Sequence, residues 1–172
     1  SLRNGGSVQT TATTNVDSDT VSVNLSGTVS GVSIGGALAR AKSEGKTTST
    51  GMGGDDGNDA LTNTGTVTSS ATSTVNTVGV SVGVGVTGTG VAVEGTAVDG
   101  SATGLANATG LTGGSGIDGI VNEGALEVTS TADVTTVGVS VSGSGTVTGV
   151  GAGIALSRAV TTAVANATAI AG

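Results

Sequence analysis

The chain has 172 residues, five of them basic against twelve acidic, and contains no Phe, Tyr, Trp, Pro, Cys or His, while glycine alone fills 33 positions. That inventory excludes disulfides, thiolate or imidazole metal ligands, histidine-based acid–base catalysis and aromatic platforms for bases or sugars. A net charge of −7 argues further against nucleic acid and anionic membrane surfaces as partners.

Disorder in Gly-rich chains goes with low hydrophobicity and high charge, whereas here mean hydropathy is +0.31 and only 10% of residues are charged. The remaining alphabet is mostly Val, Thr, Ser and Ala. Val and Thr are stiff at χ1 and suit a pleated surface, so the chain reads as extensive β-sheet around a thin, closely stacked core. The chain opens at Ser1 without a charged-then-apolar leader, which marks it as an interior or processed piece of a longer protein.

A shift of 59 residues aligns the chain with itself without gaps, giving copies at approximately 1–59, 60–118 and 119–172 of one repetitive segment. At the start of each copy stand Asn4, Asn63 and Asn122, followed by Gly6, Gly65 and Gly124. Leu2, Leu61 and Ile120 vary but stay apolar, as do Met52, Leu111 and Ile170, and both sets read as inward-facing. Alternation from Thr20 to Leu25 and from Val29 to Ile34 predicts short strands separated by Ser26-Gly27. The triplet Val21-Ser22-Val23 returns as Val80-Ser81-Val82 and Val139-Ser140-Val141. Val78 to Val98 is the most apolar stretch, but its Val/Gly alternation and Glu94 read as strands and not as a membrane-spanning helix. Gly51 to Asp59 and Gly110 to Gly119 punctuate the copies as turns.

The expected architecture is therefore an all-β, parallel β-helix-like solenoid of three 59-residue repeats, in which no copy buries its apolar face without a neighbour. Two geometries fit: about three coils of roughly twenty residues per copy, or one wide rung per copy. The wide rung would stack Asn4, Asn63 and Asn122 as a ladder and set Asp99 between Arg40 and Arg158. A convincing twenty-residue sub-repeat is absent, and the balance rests slightly toward several coils per copy.

The segments Leu61-Thr-Asn-Thr-Gly-Thr-Val67 and Ile120-Val-Asn-Glu-Gly-Ala-Leu126, each preceded by a Gly/Asp-rich turn, resemble the repeat units of bacterial autotransporter passengers and filamentous adhesins. The resemblance implies a secreted or surface-exposed stalk, adhesin or fibre. A second likeness is to the calcium-binding nonapeptide of RTX proteins: Gly113-Gly-Ser-Gly-Ile-Asp118-Gly-Ile120 fits its form, and Gly54-Asp-Asp-Gly-Asn-Asp59-Ala-Leu61 fits with one change. It implies calcium at Asp55, Asp56, Asp59 and Asp118. In a true array the motifs follow every nine residues, and here only a wide rung would bring the two turns together. The plainer reading is tight turns, for which Asp and Gly serve equally.

Other chemistry is poorly supported. The only close acid pairs, Asp17 with Asp19 and Asp55 with Asp56, do not recur in the other copies. Ser and Thr nucleophiles have no His partner, and Arg40, Lys42 and Lys46 flank Glu44 in a mixed-charge surface stretch. Thr62, Thr64, Thr66 and Thr68 form an ice-binding-like row, absent from the other copies. Sequons at Asn24, Asn107 and Asn166 read as exposed turn positions open to glycans. The expectation is thus a non-enzymatic, extracellular or cell-surface segment that self-associates along its axis or into filaments, with an adhesin passenger binding a surface ligand as the alternative.

Overall fold

The computed structural model describes residues 1–172 and is all-β. Six strands follow in order: β1 (Leu2–Asn4), β2 (Ser7–Gly53), β3 (Ala60–Asn63), β4 (Thr66–Thr112), β5 (Gly119–Asn122) and β6 (Ala125–Ala171). They form two parallel three-stranded sheets, ordered β1-β3-β5 and β2-β4-β6.

Register shows how the copies meet. Leu2 pairs with Leu61, Ser7 with Thr66, and Thr66 with Ala125, so each residue sits beside its equivalent in the next copy. One copy is therefore one wide tier, and the several-coil arrangement favoured by the sequence gives way. The reason is chemical. The 59-residue offset sets Asn on Asn and Gly on Gly, whereas a twenty-residue offset would set unlike residues together along the whole strand.

Each long strand has 47 residues, about 155 Å if straight. Yet the Ser49 hydroxyl donates to Thr10 Oγ1 at 3.1 Å, and the Ser33 hydroxyl to Ser26 Oγ at 3.3 Å. The strand thus runs out as one arm and returns as another, facing the first. The reversal lies at Val29–Gly31, not at the expected Ser26-Gly27. Gly27 stays in the ladder opposite Val86, whereas Gly31, Gly90 and Gly149 adopt φ of 110°, 127° and 144°, a region that side chains oppose. The predicted short strands are consequently parts of one unbroken strand.

The arms pack closely because glycine on one faces bulk on the other. A Cβ at Gly45 would lie 2.6 Å from Val75 Cγ2, and one at Gly79 would lie 2.7 Å from Val98 Cγ1. Near the turns Met52, Leu61, Val67 and Leu111 form the largest apolar cluster, with Val8, Ile120 and Leu126 against it. Leu2 and Ile170 share those columns but stay 46% and 49% exposed, because the outer tiers lack a neighbour on one side. Val78 to Val98 lies within β4, and no helix is long and apolar enough to cross a membrane.

Candidate functional site

The wide tier brings the two Gly/Asp turns into direct contact, with Asp56 bridged to Ser115. Three of their side chains accept backbone amides. Asp59 Oδ2 accepts from the Asp55 amide at 3.2 Å, Asp118 Oδ1 from the Asp59 amide at 2.8 Å, and Asn58 Oδ1 from the Ile117 amide at 3.0 Å. These bonds tie each turn to itself and to the next tier. No three acidic side chains gather around a common point, so the proposed calcium ligands Asp55, Asp56, Asp59 and Asp118 are not drawn into one cluster.

The asparagine column forms as the wide tier requires. Asn4 Nδ2 donates to Asn63 Oδ1 at 2.8 Å, and Asn63 Nδ2 to Asn122 Oδ1 at 2.7 Å. Two of these oxygens also shape their own turns: Asn4 Oδ1 accepts from the Gly6 amide at 3.0 Å and Asn63 Oδ1 from Gly65 at 3.2 Å. The ladder therefore fixes tier spacing and turn shape together, which explains why Asn and the following Gly recur.

Sequence reasoning used Glu94 only as a charge, but the fold buries it completely. Asn24 Nδ2 donates to its Oε1 at 2.7 Å and the Ser26 hydroxyl to its Oε2 at 3.0 Å. Room for it comes from glycine: Gly35 and Gly153 occupy its column in the neighbouring tiers, and a Cβ at Gly83 would lie 2.6 Å from its Oε1. The signal lay in those columns, where an acid stands between two glycines. Asn24 is accordingly committed inward, while the sequon residues Asn107 and Asn166 lie in strands, joined by a 2.9 Å bond. None of the three sits on a turn.

Asp17 accepts from Asn76 Nδ2 at 2.9 Å on the outer face, so this acid of the Asp17–Asp19 pair is held by a ladder contact. Arg40, Asp99 and Arg158 occupy one outward column, and Arg40, Lys42, Asp99 and Ser101 line a shallow depression.

The remaining surface feature is apolar. Around the reversal, the outward positions Val80, Val82, Val84 and Val86, with Val91, Val93, Gly95 and Ala97 on the returning arm, present no polar side chain. Their equivalents in both other tiers are also apolar or glycine, and Val23, Leu25 and Ile34 are 71%, 76% and 75% exposed. Folded single chains rarely expose contiguous apolar surface of this extent. No protein-family model, curated protein or solved structure matches the chain. The class defined by the structure is thus an all-β protein of parallel sheets, compatible with a β-solenoid.

Proposed function

We infer that the chain is a structural segment of an extracellular or cell-surface protein: a β-solenoid of three 59-residue tiers that builds a stalk, sheath or fibre by stacking. The observation that carries this reading is the in-step pairing of 47-residue strands with both sheet edges open, because β2 and β6 each have one neighbour. An open edge of backbone N–H and C=O groups is a template for another strand. Stacking a second copy below β6 would continue the asparagine ladder from Asn122 to Asn4 and cover the exposed Ile170 with Met52. The reading gives the chain a mechanical role and no catalytic one.

One row opposes stacking, since Arg158 of one copy would meet Arg40 of the next. Like charges opposite one another in a sheet repel, and the repulsion is screened by salt. Electron microscopy of the purified chain should therefore show filaments that lengthen with protein concentration and with added salt. Short single rods under all conditions would discard stacking and favour a passenger that displays its loops to a surface ligand.

A further inference from the structure

The outer face of the returning arm has a shape as well as an apolar character. Gly36, Gly95 and Ile154 share one column across the three tiers. The two glycines leave a shallow, open groove of about 340 Å³, bordered by Leu38 and Ala97 and, on the third tier, by Ile154 and Leu156. Ile154 and Leu156 stand out of the third tier at 58% and 63% exposure. A knob and a hole thus lie side by side on one surface.

We propose that this face packs against the same face of a second copy of the chain, about a two-fold axis running along the strands between the second and third tiers. That operation turns the second tier of one copy onto the third tier of the other, twice over, as an isologous contact requires. It sets Ile154 of each copy into the groove at Gly95 of the other and Leu156 over Ala97. Val93 meets Ala152, so bulk faces space in each of these columns. In the column beyond, Asp99 meets Arg158 in both directions, which supplies charge complementarity at the polar rim. The outer face of the outgoing arm is equally apolar, but the charged residue beside its valines, Asp19, shares its column with Val78 and Val137 and so meets no opposite charge under the same operation.

Area decides when this pairing holds. Residues 91–101 span about 36 Å, and two facing tiers about 4.8 Å apart give roughly 350 Å² per partner. A stable interface needs about 800 Å² per partner. About this axis two copies stacked end to end bring four tiers face to face, roughly 690 Å² per partner, and a third copy carries the area past what a stable interface needs. This step rests on the stacking reading above, and it makes lateral pairing a consequence of axial length: stacked filaments should pair where single copies do not. A lipid surface is a poorer occupant, because the open edges of β2 and β6 would carry unpaired backbone groups into hydrocarbon.

The test is electron microscopy and sedimentation of the full chain beside three variants. Gly95→Ile fills the hole, and a Cβ there meets nothing within 4 Å, so the tier itself is not disturbed. The expected result is paired filaments from the native chain and a fall of at least about tenfold in the paired fraction for Gly95→Ile. A smaller fall is expected for Ile154→Gly. The double exchange Gly95→Ile with Ile154→Gly should restore pairing, because knob and hole then face each other again; circular dichroism confirms that each variant keeps its sheet. Single-width native filaments would overturn the pairing while leaving stacking intact, and short paired particles without filaments would do the reverse. Pairing that survives Gly95→Ile overturns the proposal. So does adsorption of unpaired chains to phosphatidylcholine vesicles, or monomer at every concentration.

Discussion

The two ends of each tier are built on opposite plans. Beside the Gly/Asp turns, Leu61, Val67, Val75 and Leu111 point inward and are at most 1% exposed, while their strand neighbours outside are mostly Thr. Beside the reversal, Ser81, Glu94 and Thr96 are buried, and Val80, Val82 and Val93 face out. The cause can be located. Val75 lies on the inward parity and Val78 on the outward one, so the hydrophobic alternation slips by one residue, while the ladder from Ser7 to Thr28 continues without a bulge. A bulge would have restored the phase by adding one unpaired residue. Without it the turn-proximal end fixes the orientation of the whole arm, and the valines beyond are carried outward. The polar interior that results is fully satisfied, since no buried side-chain N or O lacks a partner.

The comparison is broken most directly at the apolar end. Leu111→Ala should cost about 3 kcal/mol in urea unfolding, from lost burial and a cavity that three tiers of rigid ladder cannot close. Asn63→Ala should follow at about 2 kcal/mol, because it leaves Asn122 Oδ1 and the Gly65 amide without their partner and takes the shortest of its acceptors from Asn4 Nδ2. A cost near zero for either would mean that the turn-proximal end does not hold the tiers in register.

Much of this was legible beforehand, and the exceptions share one origin. The 59-residue period, the Gly/Asp turns and the inward Met52, Leu61 and Leu111 all follow from which residues recur, whereas the asparagine column was legible only on the wide-rung alternative. Tier width did not, because small residues repeat locally at many spacings and only side-chain matching at the full period separates one rung from three. Inside and outside around Val80 were also hidden: Val-Ser-Val has period two in either orientation, and hydropathy alone would turn the valines inward. The reversal was misplaced for a similar reason, since Ser26-Gly27 has turn composition but Gly31 carries the positive φ. Glu94 was readable only once its column was known.

At the polar end, Glu94→Ala should cost about 2 kcal/mol, leaving Asn24 Nδ2 and the Ser26 hydroxyl without their acceptor. Glu94→Gln should recover part of it. One of the two carboxylate positions then becomes a donor, but the Ser26 hydroxyl can turn to accept. If the alanine variant were instead more stable than the native chain, the buried carboxylate would be a burden on the fold and not a tie between tiers.

The finest test exchanges character at positions of opposite parity on the same arm. Ser81 is fully buried and its hydroxyl donates to the Ala37 carbonyl at 3.0 Å, whereas Val23, in the column of Val82, is 71% exposed. Ser81→Val would force two methyl groups between closely packed arms and should cost about 1–3 kcal/mol. Val23→Thr, nearly the same shape, should change stability by about 0.5 kcal/mol or less. An ordinary alternating strand with its valines inside would give the reverse: a gain or little change at Ser81 and a loss of more than about 1 kcal/mol at Val23. Urea unfolding of the two single variants therefore reads the orientation of the outgoing arm directly, and with it whether the valine columns are available as a surface at all.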